Sequence, residues 1–144
     1  MIRYLIPLLI FVHLSGCAEE PPYPTCQLDQ AVFEGEIDGE VLRYEFNFTG
    51  HSWLNFGSYK LKTFGDEGSI EFEWSKTIAH DDSDTGSGWF EVGSVKIGTC
   101  DTNDASSTIV ARDGGADFVL ENLYQNADCN DQALEGVLYG CVRF

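Results

Sequence analysis

Basic side chains are scarce in this 144-residue chain: eight Lys and Arg stand against 24 Asp and Glu, and the formal charge is −16. Nucleic acid and bare anionic lipid are recognised through basic patches that release counterions, so neither is an expected partner. Histidine is equally rare, with only His51 and His80 beyond residue 16. Ser52 adjoins His51, but Gly50-His51-Ser52-Trp53-Leu54 lacks the second glycine of a nucleophile elbow, and neighbours on a strand point to opposite faces. No Cys-x-x-Cys pair occurs, which argues against a thiol redox motif or a zinc ribbon. No segment carries a helical stripe, apart from a single turn near Asp131 to Leu134, and no repeat of fixed period is present. Any two of the many acids can meet in space, so a carboxylate-based hydrolase stays open without a pair that stands out. The expectation is a protein that is not an enzyme.

The longest apolar run is also short. Arg3 precedes Tyr4 to Val12, and the run ends at His13 and then Glu19-Glu20-Pro21-Pro22, well below the roughly 20 residues that span a bilayer. A basic start, a short apolar centre and the small residues Ser15 and Gly16 are the layout of a cleaved export signal. Leu14-Ser15-Gly16-Cys17 resembles the bacterial lipobox. The resemblance implies removal of residues 1–16, acylation of Cys17 and a lipid anchor in a membrane of the cell envelope. Position 18 is Ala and not the Asp that retains many enteric lipoproteins in the inner membrane, so the same analogy favours the outer membrane. Residues 17–29 then read as anchor and tether, and residues 30–144 as one domain.

What the chain has in quantity is aromatic residues and strand grammar. Ten Phe, six Tyr and three Trp supply a core. Gln30 to Ile37 and Glu40 to Phe48 flank Asp38-Gly39, a dipeptide that tolerates the positive φ angles of a two-residue hairpin turn. Leu42, Tyr44, Phe46 and Phe48 alternate with polar positions or with Val41, the period of a half-buried strand. Tyr59 to Phe64 and a strand carrying Ile70, Phe72 and Trp74 opposite Glu71 and Glu73 follow the same rule. Trp89 to Thr99 reads as a strand bent at Gly93 and Gly98, and Thr108 to Arg112 and Ala116 to Leu123 as a hairpin around Asp113-Gly114-Gly115. A last strand runs from about Leu134 to Phe144. The fold class is all-β: an antiparallel β-sandwich or small barrel of roughly eight strands.

With Cys17 assigned to lipid, Cys26, Cys100, Cys129 and Cys141 remain, and in an oxidising compartment they form two disulfides with three open connectivities. If residues 134–144 form one strand, Cys141 lies about 20 Å from its start, which disfavours Cys129 with Cys141. The preferred pairing is Cys26 with Cys141 and Cys100 with Cys129, because first and last strands often meet in closed or sandwiched β folds.

Phe33 to Glu40 at the opening, with Phe118 to Leu123 and Leu134 to Gly140 at the close, resemble the first and last strands of small uncharacterised bacterial β-sandwich lipoproteins. That group has no established catalytic residues to transfer. Candidate ligand groups therefore come from the residues alone. His80 to Gly88 reads as a solvated loop in which Asp81, Asp82 and Asp84 are candidate calcium ligands. It departs from the EF-hand, since counting from Asp81 the twelfth position is Val92 and Glu91 falls one short. Cys100 to Asp104 is a weaker version, and no other cofactor is expected. Trp53, Trp74 and Trp89 with Tyr59 are candidates for a stacking platform for sugars on an open sheet face; Trp74, in step with Ile70 and Phe72, reads as core, whereas Trp53 is the candidate exposed ring. The expected function is a lipid-anchored envelope module that binds a protein or glycan partner or serves structurally. A calcium-assisted glycan-binding module and a carboxylate-based hydrolase are the alternatives.

Overall fold

The computed structural model describes residues 21–55, 58–75, 85–100 and 107–144. Cys17, His80, Asp81, Asp82, Asp84 and the stretch from Asp101 to Asp104 lie outside the described residues. The chain is an antiparallel β-sandwich held by two disulfides. Its strands are β1 (Gln30–Ile37), β2 (Glu40–Asn47), β3 (Gly50–Asn55), β4 (Ser58–Phe64), β5 (Gly68–Ser75) and β6 (Thr85–Val92), followed by β7 (Val95–Thr99), β8 (Thr108–Arg112), β9 (Gly115–Leu120), β10 (Leu123–Gln125) and β11 (Gly136–Arg143). One sheet has the order β2-β1-β11-β9-β8 and the other β10-β7-β6-β5-β4-β3.

Local chemistry explains the turns. Asp38 (φ 51°) and Gly39 (φ 81°) both take the left-handed conformation that a two-residue hairpin with the right twist demands. The strand expected from Trp89 to Thr99 is instead two strands, because Gly93 at φ 59° closes a tight turn and Val92 pairs with Val95. β6 also begins at Thr85, so the end of the expected polar loop is strand. Near 131–134 there is no helical turn; Leu134 bridges to Leu123. The strand expected from Ala116 to Leu123 breaks after Leu120, where Asn122 at φ 52° turns the chain from one sheet into the other. Asn is among the few L-residues that tolerate that region. The break is well satisfied: the hydroxyls of Thr99 and Ser107 lie 2.8 and 2.9 Å from the Glu121 carbonyl, and the Glu121 amide donates to Ser107.

The core lies between the sheets and centres on Phe33. Its ring stacks on Phe90 at 4.3 Å and 4° and meets Phe118 at 5.9 Å and Phe72 at 6.2 Å, and all four are essentially inaccessible to solvent. Gly140 pairs with Phe33 across β11 and β1. A Cβ at Gly140 would stand 2.5 Å from the Phe33 ring, and that ring is boxed in by its aromatic neighbours. Gly140→Ala is therefore expected to cost about 1–3 kcal/mol through overpacking. Equal urea midpoints for wild type and variant would show that the ring has room to shift.

The disulfides are Cys26–Cys141 and Cys100–Cys129, each with Cα atoms 5.9 Å apart. β1 and β11 are neighbours over their whole length, which is why the segment leading into β1 reaches Cys141.

Candidate functional site

The outer faces of the two sheets differ in kind. On the five-stranded sheet the outward positions include Val32, Asp117 and Cys141, and all three are buried. What covers them is the segment before β1. Pro24 is buried, Cys26 is bonded to Cys141, and Tyr23 lies beneath the Arg112 guanidinium at 5.9 Å. Asp117 receives Arg112 Nε and Arg143 Nη2, each at 2.6 Å. Over β8, β9 and β11 the face is closed above a buried charge cluster and a disulfide, while toward β2 it stays open, with Val41 and Arg43 exposed and a hollow of about 480 Å³ between Glu34, Arg43 and Tyr139.

The six-stranded sheet presents an uncovered depression of about 580 Å³ on its outer face. Period-2 alternation builds it. Leu61, Thr63, Ile70, Phe72 and Phe90 turn inward and are buried, which leaves Lys60, Lys62, Phe64, Glu71, Glu73 and Trp89 on the outside. The register brings Ser52, Lys62, Glu71, Trp89 and Gly98 into one cross-strand row, and Leu54, Lys60, Glu73 and Ser87 into the next. Lys60 Nζ sits 2.6 Å from Glu73, and Lys62 Nζ 3.1 Å from Glu71. These side chains are about half exposed, so each pair contributes at most about 1 kcal/mol to folding. Their consequence is chemical: a patch in which ammonium donors alternate with carboxylate acceptors. Phe64 is 49% exposed beside them, with the Lys62 ammonium 5.7 Å from its ring.

Trp89 forms a wall. Lys96, on the β7 side, lies 4.0 Å from the indole centroid, while the depression opens on the β5 side, where Glu71 is its cross-strand neighbour. Ala127 occupies the space over Gly98, closing the patch toward β10 and leaving it open toward β3. Lys60, Lys62 and Lys96 all stand on this face, while Arg43, Arg112 and Arg143 belong to the other sheet.

Trp53 is placed differently from the sequence expectation of an exposed ring. It pairs with Leu61, stacks on Tyr59 at 5.7 Å and 15°, meets Phe144 at 5.8 Å, and is half buried against the core. The physical reason is β3, which adds an edge strand to the sheet and turns the indole inward. Trp74 pairs with Tyr59 and Gly86 in the strand register. His51 stacks on Phe144 at 4.2 Å, whereas Ser52 lies on the outer side of β3.

Phe64 is the residue that sequence reasoning passed over, and of the aromatic row expected from Trp53, Trp74, Trp89 and Tyr59 it is Trp89 that lines the open face. The available signal was parity: Trp89 adjoins Phe90, and Lys60 and Lys62 are in opposite phase to Leu61. A second depression, about 680 Å³, lies by the β1–β2 turn and is lined by Glu36, Asp38 and Glu135. There Asp38 accepts the Glu135 amide, which ties the turn to the chain entering β11. Tyr44, on the core side of β2, is pushed above the ordinary phenol range by burial and secondarily by Glu40, so it is neutral and packs on Phe90. Among the described residues no group of three His, Cys, Asp or Glu side chains converges to hold a metal. No family model matches the chain, and no curated protein or solved structure matches it significantly.

Proposed function

We propose that this protein is a lipid-anchored, non-enzymatic binding module of the bacterial cell envelope, held through acylated Cys17 in the outer membrane and binding with the outer face of its six-stranded sheet. The observation that carries the reading is the inequality of the two faces. One is covered over β8, β9 and β11 by residues 21–29 and the Cys26–Cys141 bond, and among the described residues its open part toward β2 carries no exposed aromatic pair. The other is open and carries a concave patch of paired charges and aromatic rings.

The anchor accounts for that inequality. Nine residue steps separate Cys17 from Cys26, at most about 32 Å of chain, so the sheet that residues 21–29 cover is the one kept near the lipid. The open sheet then faces away, toward whatever the envelope presents. Cys17→Ser is expected to move the protein from the membrane fraction to the soluble fraction, since the acyl chains supply the membrane affinity. A variant that stays unprocessed in the membrane, with a wild type that takes up no labelled fatty acid, would overturn the anchor. All the described strands and both disulfides lie beyond Pro21, so a chain beginning at Ala18 carries the sandwich for binding assays. That chain should co-sediment with envelope fragments, and replacement of Trp89 and Phe64 by Ala should abolish co-sedimentation. Undiminished binding by the double variant would remove this face from the reading.

A further inference from the structure

We propose that the ligand of the open face is an uncharged glycan chain, its sugar rings lying against Trp89 and Phe64 and its hydroxyls bonded by the Lys60–Glu73 and Lys62–Glu71 pairs. The inference rests on the reading of this face as the binding surface and names the substrate class.

Charge is the first argument. The chain carries a net −16, yet here Lys60 is matched by Glu73, Lys62 by Glu71, and Lys96 stands across from Glu91. A polyanion meets repulsion from the molecule as a whole. A polycation gains most from the unpaired carboxylates elsewhere and little from acids already matched with lysines. An uncharged ligand is the one for which a locally neutral patch on an acidic protein is complementary.

Hydrogen-bond capacity is the second. An ammonium has three donors and a carboxylate about four acceptor sites, so a single ion-pair contact leaves each group able to bond a hydroxyl, which both donates and accepts. Alternating Lys and Glu thus read a polyol in either orientation. Aromatic geometry is the third. Sugar rings have an apolar C–H face that packs on an aromatic π-face, and Trp89 offers one side of its indole to the depression while Lys96 holds the other. A ring already held loses little freedom on binding. Phe64 and Trp89 stand two strands apart, about 10 Å across the sheet, and the depression of about 580 Å³ falls within the size range of ligand sites. The patch therefore suits several sugar units in a row, entering from the open β3 side.

The test uses the chain from Ala18 in native gels cast with neutral polysaccharides: a soluble β-1,4-glucan, a mannan and a galactan. At least one should retard it. Trp89→Ala should weaken that retardation about tenfold or more, and Phe64→Ala, at a side chain that is half exposed and outside the core, should weaken it as well. Envelope co-sedimentation should survive protease digestion of the fragments and 0.5 M salt, where screening length falls to about 4 Å, and should be lost after periodate cleaves vicinal diols. Binding destroyed by protease and spared by periodate would overturn the glycan while leaving the face as a protein-binding surface. No retardation by any polysaccharide, with periodate-insensitive co-sedimentation, would overturn it too. Envelope binding that ignores both aromatic substitutions would overturn the face itself.

Discussion

Replacing Cys26 and Cys141 together with Ala is expected to cost about 5 kcal/mol, against about 3.5 kcal/mol for Cys100 and Cys129, if loop-closure entropy dominates. The difference follows from the sequence separations closed, 115 residues and 29 residues, since a longer loop removes more freedom from the unfolded chain. Native contacts push the same way. Cys141 is fully buried beneath the segment that Cys26 anchors, whereas Cys129 is exposed. Loss of the first bond should also free residues 21–29, so limited proteolysis should cut near Tyr23 in that variant well before the rest of the domain. Urea unfolding of both double variants measures the ordering. Equal costs, or a larger cost for the shorter loop, would show that residues 21–29 are held on that face by packing and not by the staple.

Arg112→Ala combined with Arg143→Ala is expected to destabilise by about 3–5 kcal/mol at neutral pH, more than Asp117→Ala at about 1.5–3 kcal/mol. Burial sets this order. The Asp117 side chain is 5% exposed, while Arg112 and Arg143 are 38% and 28% exposed. Removing the carboxylate leaves two guanidiniums that water reaches, and Arg143 keeps its bonds to the carbonyls of Ala116 and Val142. Removing both guanidiniums leaves a charge in a place water does not reach. A triple variant with apolar residues of similar size at 112, 117 and 143 should return to within about 2 kcal/mol of wild type, because buried ion pairs roughly break even with good packing. Chemical denaturation of the three variants decides it; a costlier Asp117→Ala would mean that the arginines are less hydrated than their exposure implies.

Neither the triad nor the open patch was visible along the chain, and both depend on residues far apart in it. Asp117 in β9 is matched by Arg143 in β11 and Arg112 in β8, and becomes buried when residues 21–29 cover that face. An isolated strand reads the same Asp as an outward, solvated side chain. The Trp residues show a similar limit. Alternation alone says that Trp53 and Leu54 face opposite ways, and likewise Trp89 and Phe90. Which of each pair turns inward depends on the strand opposite: Leu61 draws Trp53 in, and Ile97 opposite Phe90 sends Trp89 out.

What the sequence determined by itself is what adjacent residues encode. Asp38-Gly39 specifies a tight turn because both residues accept positive φ, period-2 patterns specify strands with one buried face, and four cysteines with a strand of fixed rise narrow the pairing that is found. Of the extra strands, β10 has only three residues, and in β3 the two apolar residues Trp53 and Leu54 are adjacent, so neither shows an alternation that stands out. Only the tertiary structure decided which sheet each strand joins, that the expected tether covers part of one face, and that Lys60, Lys62 and Lys96 gather on the other. Those outcomes depend on pairings across most of the chain, such as β1 with β11, whose energy comes from burying surfaces that no local window contains.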